Sequence, residues 1–407
     1  MRCGHPFDSA QDRPFGLEIR DWKLGVGKGL DHRERVLTAV NHQEPDRVPT
    51  ALWGSAYGIT DPLYLELLEY LNVGQPVPPF RTRRGHTVNY YDDRVLEALD
   101  TDVRYVWLGF TDLGGPPAGG GLDAWGVGWE QRGIYLTATQ HPLEEATVDD
   151  LDDYPWPDVE PFIHRDQLRQ RARYLKEQTD YAIVGRAVDS FGLLERASLL
   201  RRMDQFMMDL GLNEEFATTL IGKIADVFYR LLEIYLDTAG PYLDIIELPG
   251  DDYAAQSPLI SPRMFDRFFQ ALWRRLIDLI REAAPHCKVL FHSDGRMEPF
   301  LSRLIDLGVD VFHCLEPLPG VDMAQVKRDY GDQLCFWGGI DIKQALQGDV
   351  AGVEAEVKER ISVLGPGGGY VLAPANHLQP DVLPENVVAL FQTARKYGGY
   401  PLYSGAG

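Results

Sequence analysis

His292 ends the apolar run Lys288–His292 (KVLFH), and Asp294 follows with one residue between them. On an extended strand, residues two apart face the same side, so the pair can reach one ion or one substrate. Glu316 lies 24 residues beyond His292, after the next apolar run. An imidazole with two carboxylates suits zinc or a harder divalent cation. The same trio also suits a strand-end hydrogen-bond network in which Asp294 caps the following helix. The residue types alone leave both readings open.

Proton chemistry has its own candidates. Asp251 and Asp252 follow the run LDIIELPG, and adjacent carboxylates can share a proton or hold a cationic group; a solvated turn is the alternative. Asn376 and His377 follow YVLAPA, where His377 suits general acid or base work or a simple bond to a backbone carbonyl. His313, Cys314 and Asp341 also stand at or just past the ends of apolar runs. Cys314 and Cys335 are expected to be buried, inert thiols. The glycine-rich stretch 365–369 has no following Lys-Ser or Lys-Thr, so it reads as a helix stop and not as a phosphate cradle.

Residues this far apart meet only if the chain keeps returning to one place. From residue 180 onward, short apolar runs alternate with helical segments. The runs are Ala182–Gly185, Leu243–Leu248, Lys288–His292, Val309–His313, Leu334–Trp337 and Gly369–Leu372. Continuous apolar character of this kind marks strands buried on both faces. Ser261-Pro262 is a helix start, and Phe265, Phe268, Phe269, Leu272, Leu276 and Leu279 recur at helical spacing. Met297–Leu307 and Val353–Leu364 read as further helices.

This alternation implies parallel βαβ units. No GxGxxG opens a helix after a first strand, and the length and number of units favour a (β/α)8 TIM barrel. Polar residues at the strand ends would then share one mouth. Upstream, Asp31–Val40 reads as a helix, and Val48–Trp53 and Thr101–Leu108 read as strands. Residues 111–165 are expected to form a loop-rich, hairpin-bearing segment near the barrel mouth. No internal repeat beyond the βα rhythm stands out.

The 407 residues, 44% hydrophobic and 25% charged, have ordinary globular composition. A formal net charge of −21 argues against nucleic acid and anionic membranes as partners. No apolar stretch reaches the roughly 18 residues of a membrane span. Four cysteines without a CxxC pair fit a cytoplasmic location better than a disulfide framework. Residues 1–30 have no clear period and are expected to be a flexible tail before a single domain over residues 31–402.

Several stretches together are specific. Arg33-Glu-Arg-Val-Leu37, Asn41-His-Gln-Glu-Pro-Asp-Arg-Val-Pro49, Phe291-His-Ser-Asp-Gly295, Trp337-Gly-Gly-Ile-Asp341 and Gln379-Pro-Asp-Val-Leu-Pro-Glu-Asn386 resemble the uroporphyrinogen-decarboxylase-like superfamily. The likeness runs from about Asp31 to Tyr400. It implies a TIM barrel with one of two chemistries. One is cofactor-free decarboxylation of uroporphyrinogen III to coproporphyrinogen III, in porphyrin biosynthesis. The other is zinc-dependent methyl transfer between a corrinoid protein and a thiol or other acceptor. The decarboxylases' arginine-rich segment is replaced here by Pro49–Tyr57, which holds no Arg, and their late His falls on Asn376. The methyltransferases' His-x-Cys and later Cys become His292, Asp294 and Asn376. Glu316 stands where, by spacing, related cobalamin-independent methionine synthases place a zinc-ligating Glu. The resemblance therefore implies a His292–Asp294–Glu316 metal set, completed by Asn376 or His377, with Asp251, Asp252 or His377 moving protons. The favoured expectation is a methyltransferase or demethylase acting with a corrinoid protein or a small methylated substrate, as a homodimer; uroporphyrinogen decarboxylase is the alternative.

Overall fold

The computed structural model describes residues 29–52, 58–76, 92–107, 119–186, 191–248 and 253–402. Among these residues, ten strands fall in two sheets. In chain order they are β1 (Val103–Trp107), β2 (Gly120–Leu122), β3 (Gly128–Arg132), β4 (Tyr135–Gln140), β5 (Ala182–Arg186), β6 (Ile245–Leu248), β7 (Lys288–His292), β8 (Val311–Leu315), β9 (Cys335–Ile340) and β10 (Tyr370–Pro374). Seven of them form one parallel sheet in the order β1-β5-β6-β7-β8-β9-β10. Each successive strand lies beside its predecessor, so the sheet grows in one direction only, as a barrel wall does.

Six of these strands match the apolar runs of the sequence, with starts and ends displaced by up to three residues. The expected strand at 48–53 takes a different form. Thr50 makes a parallel bridge to Leu372. Ala51 N–H donates to the Leu372 carbonyl (3.0 Å), and Leu372 N–H donates to the Pro49 carbonyl (2.9 Å). Asp102 N–H, next to β1, donates to the Thr50 carbonyl (2.9 Å). This short segment therefore touches both edges of the seven-stranded sheet; Trp53 lies outside the described residues.

The helices cover the outer face. The helix Glu214–Ala239 buries Phe216, Leu220, Ile224, Phe228, Leu231 and Tyr235 at helical spacing. Phe291 of β7 packs edge-on against Trp273 of the helix Gln270–Ala283, with ring centroids 5.1 Å apart. Helical spacing after Ser261 spans two helices, Pro262–Phe268 and Gln270–Ala283, broken at Phe269. The glycine stretch does end the helix Val350–Leu364. Gly368 has a φ of +74°, and a Cβ there would stand 2.3 Å from the Gln43 carbonyl oxygen.

The strands are pinned at their N-terminal ends by a device that recurs. Asp102, Asp244 and Asp310 each stand just before a strand: β1, β6 and β8. Each donates its N–H to a carbonyl of the preceding wall segment, at Thr50, Ile183 and Val289. Each then accepts that same residue's N–H on a carboxylate oxygen, at 2.8, 3.0 and 2.8 Å. Basic side chains complete each clamp: His32, Arg35 and Arg47 on Asp102, Arg33 and Lys176 on Asp244, Arg281 and Lys288 on Asp310. The same clamp thus serves three of the seven strands of the parallel sheet. The arginines of the opening motif belong to this end.

β2, β3 and β4 form a separate antiparallel sheet, the hairpin structure expected within 111–165. Tyr135 donates its hydroxyl proton to Gln379, past β10 (2.6 Å), and Trp129 stacks on Phe191, past β5. The small sheet is thus tied to loops that follow the C-terminal strand ends. The expected flexible tail, 1–30, lies outside the described residues up to residue 28; the Leu30 carbonyl accepts from Arg35 at 2.6 Å. No helix among the described residues is long and apolar enough to cross a membrane.

Candidate functional site

In β7, alternation turns Phe291 outward to Trp273 and His292 inward. In the register, His292 pairs with His313 of β8, and His313 with Trp337 of β9, so these three side chains share the inner face. The β8–β9 ladder then skips a residue, for Leu315 and not Cys314 pairs with Gly338. A regular strand would turn Cys314 away from His313. The irregularity breaks alternation, and both residues reach the same cluster.

The cluster is compact. His292 Nδ1 and His313 Nδ1 are 2.7 Å apart, so one ring donates and the other accepts. His292 Nε2 is 3.5 Å from Asp294 Oδ1. The Cys314 thiol donates to the same oxygen at 3.0 Å. The Asn376 amide donates to Asp294 Oδ2 at 2.8 Å. Gly295 N–H donates to Glu316 Oε2 at 2.7 Å. Gly295 is required here by its surroundings, since its φ is +83° and a Cβ would stand 2.3 Å from the Ala254 carbonyl oxygen. The loop after β6 and the turn after β7 therefore interlock, and that turn aims a backbone donor at Glu316.

Burial sets the electrostatics. Desolvation drives the His292 imidazole down to about 4, with Asp294 opposing and Arg186 assisting. Desolvation holds His313 well below the ordinary range, assisted by His292, Arg186 and His377. Both rings are therefore neutral at pH 7, the state in which imidazole binds a metal. Desolvation and the neighbouring Asp294 raise Glu316. Deeper in the wall, Arg186 of β5 and Glu247 of β6 are buried with Nη1 and Oε1 3.6 Å apart.

The structure brings His292, Asp294, Glu316 and Asn376 together, with His377 beside Asn376: its N–H donates to Asn376 Oδ1 at 2.7 Å. Asp251 and Asp252 lie outside the described residues. Asp341 turns away into a local cap, accepting from Lys343 and Gln344 N–H. Cys335 is buried, and burial pushes its thiol up to about 12, as expected of an inert sulfur. Cys314 is buried as expected, and its sulfur contacts a carboxylate of the cluster. His313 had drawn no specific role in the sequence, and Glu247 was hidden within an apolar run.

Among the described residues, two groups of three offer ligand atoms within 4.8 Å of one another: His292, His313 and Cys314, and Asp294, Cys314 and Glu316. Cys314 belongs to both. Beside the cluster lies a cavity of about 820 Å³, lined by Phe191, Leu194, Met203, Met207 and Leu259 among others. No cluster residue lines it; Ala254 and Ala255, which press on Gly295 and form one wall, connect the two.

Comparison with known proteins matches this architecture. The family model for uroporphyrinogen decarboxylase (URO-D) matches residues 138–397. A uroporphyrinogen decarboxylase from Prochlorococcus marinus (strain MIT 9312) is 22% identical over 194 residues, which is 45% of this chain and 53% of that protein. The chain thus matches about half the length of that curated relative. A methyltransferase from Methanosarcina mazei superposes with a TM-score of 0.62 at 20% identity, covering 90% of this chain and 99% of the other, which shows a shared fold. With the family model spanning more than half of the residues, and the inward-facing cluster lying inside the matched region, the chain belongs to the uroporphyrinogen decarboxylase (URO-D) family.

Proposed function

We propose that this chain is a methyl-transferring enzyme of the family, acting with a corrinoid protein or a small methylated substrate at the mouth formed by the C-terminal strand ends. The carrying observation is the part-buried group of imidazole, carboxylates and thiol around Asp294. The likeness in fold to a methyltransferase supports the reading. It includes closure of the sheet as an eight-stranded barrel, with segment 49–51 as the eighth stave, within a single domain over 31–402. In this reading His292, Asp294 and Glu316 hold a divalent cation. Such a cation would supply Lewis acidity to the methyl acceptor. Asn376 fixes Asp294, while His377, with Asp251 or Asp252, takes the acceptor's proton. The cavity beside the loop 253–259 is the approach for an apolar substrate.

Decarboxylation of uroporphyrinogen is the second reading, favoured by the family model and the curated relative. It meets a physical difficulty. A polycarboxylate needs guanidinium partners, and among the described residues the three arginines of the opening motif, Arg33, Arg35 and Arg47, are committed to Asp244, Asp46 and Asp102 at the other end of the strands.

One experiment separates the two. The protein is mixed with methylcobalamin and a panel of thiols under anaerobic conditions. Methyl transfer moves the methyl group from cobalt to sulfur, leaves the bond's electron pair on cobalt as cob(I)alamin, and releases the thiol proton. The expected result is that spectral conversion, lost in His292→Ala. No conversion, together with coproporphyrinogen formed from uroporphyrinogen III, would replace this reading with the decarboxylase.

A further inference from the structure

We propose that the cavity beside the loop 253–259 is a binding site for an uncharged aromatic compound bearing one small polar group, with Phe191, Met203, Met207 and Leu259 around the ring and Ser198 at the polar group. The inference names a substrate class for the methyl-transfer reading above, and rests on that reading for what happens to the bound molecule.

The size and the walls fit such a ligand. The volume of about 820 Å³ lies within the roughly 300–1,000 Å³ usual for small-molecule sites. One wall is aromatic and held in place. Phe191 stacks on Trp129 with ring centroids 5.9 Å apart, and the Arg196 guanidinium stands 4.9 Å from the Phe191 centroid. A second wall comes from the helix Met203–Leu212, which supplies Met203 and Met207 one turn apart. Thioethers are adaptable and make favourable contacts with aromatic rings. The third wall is the loop, which is bonded to itself. Ala255 N–H donates to the Ser257 carbonyl (2.9 Å), and Leu259 N–H to the Tyr253 carbonyl (2.8 Å).

Charge and hydrogen bonding narrow the class further. Among the described residues of the lining, the one guanidinium or ammonium group is Arg202, and it is committed: it donates to Asp204 and to Glu144, each at 2.6 Å. Glu195 and Asp204 add negative charge to the same lining. A carboxylate would therefore enter an apolar space without a cation to meet it, at a desolvation cost. Ser198 also lines the cavity, and its buried hydroxyl has no hydrogen-bond partner among the described residues. A buried hydroxyl left unsatisfied is costly, and an oxygen on the ligand would meet it. The loop also ties the cavity to the cluster. Ala255 accepts from Arg296 N–H at 2.9 Å, and Ala254 presses on Gly295, so the turn after Asp294 is seated on the cavity's own wall.

The test reads binding and not turnover. The full chain is titrated with N-phenyl-1-naphthylamine, an uncharged aromatic dye that fluoresces in apolar surroundings, and the dye is then displaced with 4-methylphenol, toluene or benzoate. One dye per chain is expected, displaced by 4-methylphenol and toluene and not by benzoate at equal concentration. Met207→Lys should weaken dye binding by more than about tenfold, because it places an unpaired ammonium in an apolar site. Met208→Lys, on the exposed side of the same helix, should leave it unchanged. Ser198→Ala should weaken 4-methylphenol about 2- to 10-fold, the worth of one neutral hydrogen bond, and spare toluene. No dye binding, displacement by benzoate as readily as by 4-methylphenol, equal effects of Met207→Lys and Met208→Lys, or equal effects of Ser198→Ala on the two rings would overturn the inference. The wild-type comparison needs no variant to fold. Because neither metal nor methyl donor is present, these outcomes are distinguishable from failure of the methyl-transfer assay.

Discussion

Replacing Asp102 by Asn should cost about 3–5 kcal/mol of stability, the range for removing one partner of a buried ion pair. The structure sets the value at that level. Asp102 is fully buried. Its Oδ1 accepts from His32 (2.8 Å), Arg35 (2.7 Å) and Arg47 (2.9 Å), and its Oδ2 from Arg47 (2.8 Å) and Thr50 N–H (2.8 Å). Asparagine keeps the shape and one acceptor. It presents an amide N–H₂ to a guanidinium, however, and leaves the charges of Arg35 and Arg47 without their shared counter-ion. Urea unfolding followed by tryptophan fluorescence reads the loss.

Asp310→Asn is the matched control. It removes the same backbone clamp, but its side chain is 23% exposed and its partners Arg281 and Lys288 reach solvent; screening limits the expected cost to about 1 kcal/mol. The pH dependence follows from the shift. Burial pushes the Asp102 carboxyl up, but Arg47, His32 and Arg35 outweigh it and hold the group well below the usual range. A depressed folded pKa gives stability that is present above the unfolded value, about 3.9, and lost as pH falls toward the folded value. The gap between wild type and Asp102→Asn should therefore be flat from neutral pH down to about 4 and narrow below it. A cost under about 1 kcal/mol for Asp102→Asn, or equal costs at both sites, would refute the argument from burial.

Two further substitutions probe the mouth. Gly295→Ala should lower the melting temperature and reduce metal binding together, because the added Cβ meets the Ala254 carbonyl and displaces the N–H that holds Glu316; thermal melts beside cobalt titration check the pairing of the two effects. His313→Ala should weaken cobalt(II) affinity about 10- to 100-fold, the usual loss when a ligand's supporting partner is removed, read by titration of chelator-treated protein; unchanged affinity would remove that supporting role from His313.

Parallel strands buried on both faces leave an apolar signature, and for that reason the runs in the second half of the chain map onto β5 to β10. The ends were harder to read because polar residues continue the ladder. β8 runs on through His313 and Cys314 to Leu315, where the apolar pattern suggested a stop at His313. The first wall segment escaped as a regular strand because only residues 49–51 bond to its neighbours. His292, Asp294, Glu316 and Asn376 were legible from their places after apolar runs. Cys314 was not, because alternation is the rule by which side chains are assigned to faces, and this residue sits where the rule breaks.

The opening motif shows why a resemblance can be right about family and silent about role. Its arginines are the kind of residue that would bind an acidic substrate, and sequence alone cannot say which end of the strands they occupy. The structure commits them to aspartates before β1 and β6, and in TIM barrels the end away from the strand C-termini is where fixed residues serve stability. That commitment sets the Asp294–Glu316 cluster apart by chemistry. Buried carboxylates at the N-terminal end are matched by guanidinium and ammonium groups. At the C-terminal end Asp294 and Glu316 are met by an amide, a backbone N–H, a thiol and neutral imidazoles. Neutral donors hold a carboxylate in place without cancelling its charge. A pair of carboxylates arranged in this way is suited to a cation or a proton from outside the fold, which is what the proposed reading asks of the β7–β8 end.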